Sequence, residues 1–171
     1  MLIALENVVV SAVFPHNLPL NVIAEAGAQP RKFPGIIVRF ARPAAALLVF
    51  ETGKVICTGA KSTEEAEFAI RKFVEVLRMK GVNVEQPKVT VVNVVVSANL
   101  HRSINVEKLA ADMKLSYEPE RFPGAIIKHE GKTILVFSSG RIVCVGSKTL
   151  DEARQTINLI SSALGEAGKT S

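Results

Sequence analysis

Aromatic residues are scarce in this chain: they make up 5% of its 171 residues, and tryptophan is absent. Long apolar runs are also missing, since none approaches the ~20 residues that a membrane-spanning helix needs. The first residues, MLIALENVVV, have neither the basic segment nor the small-residue cleavage site of a signal peptide. These absences argue against a membrane protein, so we expect a cytoplasmic protein with no membrane partner.

Cysteine and histidine are too few and too scattered for the usual disulfide or metal patterns. Cys57 and Cys144 are the only cysteines, and they occupy equivalent places in VICTG and IVCVG. Such a pair is more typical of small core residues than of a disulfide or a metal pair. The three histidines have no ligand spacing. We therefore predict neither a metal site nor a cofactor.

The rest of the composition suits a soluble globular protein with a substantial core. Hydrophobic residues make up 48% of the chain and charged residues 22%. The net charge is +5 and the isoelectric point is about 9.4. A mild positive excess is compatible with a polyanionic partner but does not identify one.

The chain contains an internal duplication. ENVVVSA (6–12) matches VNVVVSA (92–98), and LLVFETGKVICTGAKS (47–62) matches ILVFSSGRIVCVGSKT (134–149). Between these blocks, RKFPGII (31–37) matches ERFPGAII (120–127). Three blocks that recur in the same order predict two repeats, residues 1–84 and 85–171, in one closely joined domain.

The sequence of each repeat predicts the same series of elements, β-α-β-β-β-β-α. The second strand of the series is the extended stretch between the short helix and the FPG turn. Glycines at 53 and 140 supply a hairpin turn, and capping boxes at Ser62/Glu65 and Thr149/Glu152 begin the closing helices. Gly81 and Gly165 are expected to end those helices. This order predicts an α+β fold, an antiparallel sheet with helices on one face. The predicted strands include residues 5–12, 36–40, 89–98 and 125–129. The predicted short helices are residues 20–28 and 106–113, and Asn105 caps the second.

Alternation along the strands separates two faces of the predicted sheet. Val49, Val55 and Cys57 suit the face that packs against helices. Since each repeat offers only two helices, the opposite face should be exposed and therefore a binding surface. That face mixes small apolar groups with single hydrogen-bonding groups and two phenylalanines, inside a rim of cations: Asn7, Val9, Ile56, Thr58, Asn93, Val95 and Val143; Phe50 and Phe137; Arg39, Arg42, Lys54 and Arg141.

Such a surface suits the minor groove of A·T-rich DNA, which presents mainly hydrogen-bond acceptors. Asn amides and a Thr hydroxyl can donate to those acceptors, and Val and Ile leave no room for the guanine amino group. Exposed phenylalanines beside the FPG turns can insert between base steps. Two alternatives stay open: the two halves fold face to face, or the free protein forms a weak homodimer through this face.

Catalysis finds little support on the same face. It contains no carboxylate pair, no Cys–His couple and no glycine loop that could hold a phosphate. ETGK and SSGR contain glycine but are typical of hairpin turns. We therefore expect a binding protein and not an enzyme.

The motifs ENVVVS, FPGIIVRF, LLVFETGKVICTGAKS, VNVVVSA, YEPERFPG and VFSSGRIVCVGSK resemble those of the TATA-box-binding proteins, in their two-repeat archaeal form without an N-terminal extension. The resemblance covers nearly the whole chain. It implies a pseudo-two-fold saddle: a curved antiparallel sheet with helices on the convex face and DNA on the concave face. It also implies a nucleoid-associated general transcription factor that binds and bends promoter DNA, recruits a B-type initiation factor and indirectly recruits RNA polymerase.

The resemblance also assigns roles to individual residues. Glu118 and Glu120, in YEPE, would bind the B-type initiation factor. The residues that would bind DNA are the groove floor, Asn7, Val9, Ile56, Thr58, Asn93, Val95, Val143 and Val145; the kinking rings, Phe33, Phe50, Phe122 and Phe137; and the phosphate contacts, Arg39, Lys54, Lys128 and Arg141.

The second repeat departs from the first at one floor position. Val145 stands at the place of Thr58, so one hydroxyl donor is missing and we expect the second half of the DNA site to be read less stringently. The chain also has IKH after its second FPG turn, where the family has YR. An alternative function stays open: a paralogue that acts mainly as a protein-interaction module or has an altered DNA preference. Retention of all four phenylalanines and both asparagines favours DNA binding.

Overall fold

The chain forms two compact units in a computed structural model that describes residues 1–24 and 34–167. The N-terminal unit consists of residues 7–92, and the C-terminal unit consists of residues 1–6 together with 93–171. The first six residues therefore belong with the second half of the chain. The predicted boundary between the repeats, at residues 84 and 85, remains a prediction.

The N-terminal unit contains a four-stranded antiparallel sheet and its helices. Within the unit the strand order is β2-β3-β4-β1, and α2 packs against β4. The elements are β1 (Ile3–Val13, of which residues from Asn7 onward belong to this unit), α1 (Leu20–Ile23), β2 (Gly35–Ala41), β3 (Ala44–Phe50), β4 (Lys54–Ala60) and α2 (Thr63–Met79).

The C-terminal unit repeats this plan. Its strand order is β5-β8-β7-β6, and α4 packs against β8. The elements are β5 (Lys88–Asn99, of which residues from Asn93 onward belong to this unit), α3 (Val106–Asp112), β6 (Gly124–His129), β7 (Lys132–Phe137), β8 (Arg141–Ser147) and α4 (Leu150–Ala167). The predicted α+β class, with antiparallel strands and helices, is therefore confirmed.

Local signals fix the ends of most helices and hairpins. The Ser62 and Thr149 hydroxyls accept hydrogen bonds from the backbone N–H groups of Glu65 and Glu152, both at 3.1 Å, as the capping boxes predict. Asn105 caps α3 in the same way, accepting from the Lys108 N–H at 2.9 Å. The hairpin glycines have positive φ, +93° at 53 and +85° at 140. A side chain at the second would collide with the Arg102 carbonyl.

The core is the helix-facing side of each sheet. Val10, Val49 and Val55 have no exposed surface, and neither do Cys57 and Cys144. Both cysteines are free thiols, which confirms their prediction as small core residues. Burial raises the pKa of the Cys57 thiol to about 11, so this sulfur stays protonated and unreactive at neutral pH.

Two predictions about elements are wrong. Residues 114–123, the extended stretch before the second FPG turn, contain no strand, so the order in that unit is β-α-β-β-β-α. Helix α4 continues to Ala167 and does not stop at Gly165. Glycine costs a helix interior about 1 kcal/mol but ends it only where the chain adopts a left-handed conformation, as it does at Gly81 with φ +79°.

A third prediction, the short helix at 20–28, begins where expected but ends too late, because α1 stops at Ile23 and Ala24 is extended; residues 25–28 lie outside the described range. None of the helices in the described part of the chain has the length and apolar character needed to cross a membrane.

A nearly buried ion pair ties β7 to α4. The Lys132 side chain is only 5% exposed, and its Nζ lies 2.8 Å from Glu152 Oε1. The hydrogen bond to Glu152 raises the pKa of Lys132, and the same bond lowers the pKa of Glu152. The carboxylate of Glu152 also accepts from the Lys148 N–H at 2.8 Å. In the N-terminal unit, the carboxylate of Glu65 accepts from the Lys61 N–H at 2.9 Å in the same way. Ala45 occupies the position that corresponds to Lys132, so the ion pair is not repeated at that position.

We predict that Glu152→Gln destabilises the protein at pH 7 and that the loss shrinks in acid. Because the folded state lowers the pKa of Glu152, its stabilising contribution is complete above the ordinary value of 4.5 and disappears as the pH falls through the lower folded value. Chemical denaturation of both proteins at pH 7 and pH 3 measures the difference. Glu65→Gln is the matched control and should show a weaker pH dependence, since Ala45 stands where Lys132 would be. Equal dependence in the two variants would contradict a role for Lys132.

Candidate nucleic-acid interface

The predicted groove-floor residues lie on the sheet face opposite the helices. Each of them is half-buried, and the strand neighbours on both sides of Val9, Ile56, Val95 and Val143 are buried. This alternation is the signature of a sheet with one packed face and one open face. The half-buried residues are Asn7 and Val9 on β1, Ile56 and Thr58 on β4, Asn93 and Val95 on β5, and Val143 and Val145 on β8.

In the N-terminal unit the backbone fixes the orientation of the Asn7 amide. The Gly59 N–H donates to Asn7 Oδ1 at 2.9 Å, which identifies Nδ2 as the donor end of the amide. Asn7 Nδ2 in turn donates to Thr58 Oγ1 at 3.1 Å. The Thr58 oxygen therefore accepts internally, and its own O–H remains available to donate outward.

The C-terminal unit orients its asparagine by the same contact. The Gly146 N–H donates to Asn93 Oδ1 at 2.9 Å. The neighbour that corresponds to Thr58 is Val145, which has no oxygen to accept from Asn93. Each unit thus presents an asparagine NH₂ group as a donor, but only the N-terminal unit adds a hydroxyl at this strand position.

The structure adds residues to this face that the sequence-based prediction left out. Cross-strand pairing places Leu48 and Ser11 on either side of Ile56, and Leu135 and Ser97 on either side of Val143. Counting back in twos from Phe50 and Phe137 would have found both leucines. The apolar floor is therefore wider than predicted, spanning three neighbouring strands in each unit.

Two of the predicted kinking rings form a pair at the end of β7. The Phe122 and Phe137 ring centroids are 5.8 Å apart, with the ring planes inclined at 60°, and both rings are half-buried. A Cβ at Gly124 would lie 3.0 Å from the first ring and 3.1 Å from the second, so any larger residue there would displace the rings by a few tenths of an ångström. Phe50 holds the equivalent place in the N-terminal unit and is half-buried, and Phe33 lies outside the described residues.

The four predicted phosphate contacts are all exposed at the surface: Arg39, Lys54, Lys128 and Arg141. Two of them already have partners in their own unit. Arg141 Nη2 lies 3.4 Å from Glu6 Oε1, and Lys128 Nζ donates to Thr133 Oγ1 at 2.6 Å. Glu6 Oε1 also accepts from the Ser97 hydroxyl. No local pattern reveals these contacts to Glu6, because its partners lie 91 and 135 residues away.

The predicted partner-binding segment, YEPE, precedes β6 as an irregular turn. Glu118 and Glu120 are exposed. Glu118 Oε2 lies 3.1 Å from Arg121 Nε, so this acid is partly neutralised by its neighbour. Within residues 1–24 and 34–167, no group of three or more His, Cys, Asp or Glu side chains could hold a metal ion.

Known proteins match this chain over almost its entire length. The family model described as "Transcription factor TFIID (or TATA-binding protein, TBP)" matches residues 2–79 and 88–167. The TATA-box-binding protein of Archaeoglobus fulgidus is 38% identical, over 97% of this chain and 96% of that protein. The one from Methanocaldococcus jannaschii is 37% identical, over 96% of this chain and 94% of that protein.

A solved structure, "Methanococcus jannaschii TBP", superposes with a TM-score of 0.85 at 36% identity, covering 96% of this chain and 98% of that one. The class is therefore that of a two-repeat transcription factor rather than an enzyme. The chain belongs to the TATA-binding protein family, which confirms the resemblance inferred from its motifs.

The half-buried position of Phe122 generates a prediction for stability. Phe122→Ala should lower the free energy of unfolding by about 1–3 kcal/mol, because the half-buried ring loses part of the free energy of full burial together with the contribution of the aromatic pair. Phe73, fully buried with its ring centroid 6.2 Å from that of Phe14, is the control; Phe73→Ala should cost about 3–5 kcal/mol. Urea denaturation compares the two. Similar losses would show that Phe122 is a core residue and not a ring kept at the surface for a partner.

Proposed function

We propose that this protein is a general transcription initiation factor that binds A·T-rich promoter DNA through the minor groove and bends it. The observation that carries the proposal is the orientation of Asn7 and Asn93. On a half-buried apolar face, each amide has its oxygen held by a backbone N–H, at 2.9 Å in both units. Each NH₂ group is thereby positioned as a donor.

Donors on an apolar floor favour A·T pairs for two reasons. In the minor groove, A·T and T·A pairs present only the acceptors A N3 and T O2, whereas G·C adds the guanine amino group, a donor. An amide NH₂ can donate a hydrogen bond to A N3 or T O2. It cannot bond to the guanine amino group, because both groups are donors. The floor residues Val9, Ile56, Val95 and Val143 have no acceptor that could satisfy a guanine amino group, so that group would be buried without a partner at a cost of about 1–3 kcal/mol.

The phenylalanines supply the means of bending. Apolar wedges in minor-groove proteins unstack base steps and kink the duplex, and the cost is repaid by extra contact area. That mechanism is a general one for this family of proteins. In this chain, Phe122 and Phe137 would wedge one end of the site, and Phe33 and Phe50 the other. Arg39, Lys54, Lys128 and Arg141 would meet the phosphates at the edges.

We predict that wild-type protein shortens the end-to-end distance of a TATA duplex, as measured by energy transfer between terminal dyes. Removing both rings with Phe122→Ala and Phe137→Ala should reduce the shortening, because one kink loses its wedge. Phe68→Ala is the matched control, since Phe68 is 51% exposed on α2, the helix that covers the opposite face. The control should bend DNA like the wild type.

A wild-type protein that binds the TATA duplex but leaves it straight would contradict bending. A wild-type protein that binds an all-G·C duplex equally well would contradict minor-groove recognition of A·T pairs.

We further propose that the turn at 117–121 binds a B-type initiation factor, through which RNA polymerase is recruited. Glu118 and Glu120 are exposed acids on this turn, and the segment AQPRK before the first FPG turn has no acid. A basic surface on the factor would complement them. Because Glu118 is paired with Arg121 at 3.1 Å, Glu120 is the acid whose charge is available without breaking an internal contact.

We predict that Glu120→Lys weakens the ternary complex with the B-type factor in a gel shift and leaves binding to DNA alone within about twofold. The combined Glu118→Lys and Glu120→Lys variant should abolish the ternary complex. Asp112→Lys reverses an exposed acid at the end of α3 in the same unit and serves as the control. Equal losses of binary and ternary complexes would show that the turn is needed for folding or DNA binding instead.

A further inference from the structure

We propose that Thr133 is a specificity-determining residue, the hydroxyl donor with which the C-terminal unit replaces the one that Val145 lacks. This inference rests on the proposed binding of the sheet face to the minor groove. It goes beyond the repeat comparison, which predicts only a missing donor at Val145.

Cross-strand pairing places Thr133 beside the altered position. In the C-terminal unit, Lys128 pairs with Thr133, and Thr133 pairs with Val145; we call these three residues the Val145 row. In the N-terminal unit, Arg39 pairs with Ala46, and Ala46 pairs with Thr58; these form the Thr58 row. The two rows occupy equivalent places in their sheets and differ in which strand carries the hydroxyl. Arg-Ala-Thr in the Thr58 row corresponds to Lys-Thr-Val in the Val145 row, so the hydroxyl lies on β4 in the N-terminal unit but on β7, and not on β8, in the C-terminal unit.

Thr133 lies on the open face of the sheet. Directly opposed residues on neighbouring strands share a face, and Val145 and Lys128 are on the face away from the helices. The strand neighbours of Thr133 confirm this placement. Ile134 has no exposed surface, and Lys132 reaches Glu152 on α4 at 2.8 Å. Both therefore point to the helix side, which leaves the half-buried Thr133 on the other.

The hydroxyl of Thr133 is prepared to donate. Lys128 Nζ donates to Thr133 Oγ1 at 2.6 Å, and an ammonium group has no lone pair with which to accept in return. The O–H hydrogen of Thr133 must therefore find an acceptor elsewhere. Thr58 has the same arrangement, because its oxygen accepts from Asn7 Nδ2 at 3.1 Å. In each unit an internal donor occupies the threonine oxygen and leaves one O–H for an outside acceptor.

The change of strand alters which acceptor is reached. Neighbouring strands are about 4.8 Å apart, more than the ~3.4 Å between successive nucleotides of one DNA strand. The Thr133 hydroxyl therefore donates to a base pair next to the one to which a threonine at 145 would donate. The C-terminal half of the site is then not read less stringently; its preference for A·T is displaced by about one base pair.

Three variants test this assignment by fluorescence anisotropy. The probes are one A·T-rich duplex and a set in which each A·T pair is replaced in turn by G·C. Thr133→Val removes the hydroxyl and keeps the shape. Thr133→Ser keeps the hydroxyl and is the control. Thr133→Val combined with Val145→Thr moves the hydroxyl back to the strand that carries it in the N-terminal unit. Thermal melts of all three check that they fold.

Thr133→Val should weaken binding to the parent duplex about three- to tenfold, the range of one hydrogen bond, and should lose discrimination at one base pair. Thr133→Ser should stay within about twofold of wild type. The combined variant should recover affinity, and its restored discrimination should appear at the adjacent base pair.

Unchanged affinity and base-pair profile in Thr133→Val would overturn the assignment. So would a weakening that is uniform across all duplexes, because that result would mean that Thr133 only positions Lys128 at a phosphate. Wild-type protein with no preference for A·T pairs would instead refute the proposed function itself, which keeps the two failures distinct.

Discussion

Each unit of this protein has more sheet surface than its helices can bury, and the rest of the structure follows from that constraint. α2 packs against β4 and α4 against β8, so the side chains between them, such as Val55 and Ile142, lose all contact with water. The alternate side chains cannot be buried by any helix of the same unit. These Val and Ile side chains are only half-buried, so each forgoes part of the about 1.5–3 kcal/mol that full burial would contribute. An apolar open face is therefore a cost in the free protein, and contact with a partner removes it.

The polar groups on that face are held by the backbone. If the amides of Asn7 and Asn93 rotated freely, they would present donor and acceptor ends alike and would discriminate poorly between A·T and G·C pairs. The N–H groups of Gly59 and Gly146 remove this ambiguity by binding the oxygen end. Because the oxygen end is already bonded in the free protein, no reorientation is needed when a partner binds, which lowers the entropic cost of recognition.

The sequence predicts the parts of this structure that depend on local or repeated patterns. The capping boxes at Ser62 and Thr149, the hairpin turns and the two faces of β4 all follow from residues a few positions apart. The errors arise where local signals conflict with longer-range structure. Gly165 resembles a helix stop, but α4 continues through it. The stretch at 114–123 resembles a strand in sequence, but an extended chain becomes a strand only when a neighbouring strand supplies its hydrogen bonds.

The contacts that refine the candidate site were beyond prediction for a different reason. The bond from Asn7 to Thr58 joins residues 51 positions apart, and the bond from Ser97 to Glu6 joins residues 91 apart. Alternation assigns a residue to a face but does not show which neighbour accepts its hydrogen bond. Thr133 illustrates the limit: comparison of the repeats reveals the loss of a hydroxyl at Val145, whereas only the strand register shows that a hydroxyl stands beside it.

The differences between the two units could determine in which of two orientations this duplicated protein binds a DNA site. Two identical repeats would bind a DNA site equally well in either orientation, so any preference must come from residues that differ between the halves. One difference is electrostatic: Glu6 holds Arg141 at 3.4 Å, whereas its repeat equivalent, Val92, offers no acid to Lys54. In the proposed complex, a phosphate at Arg141 would compete with this carboxylate, whereas a phosphate at Lys54 would meet no acid from Val92. The other difference is the strand that carries the hydroxyl, β4 in one unit and β7 in the other. A free-energy difference of 1.4 kcal/mol already favours one orientation tenfold, which lies within the range of a single hydrogen bond or ion pair at a partly desolvated interface.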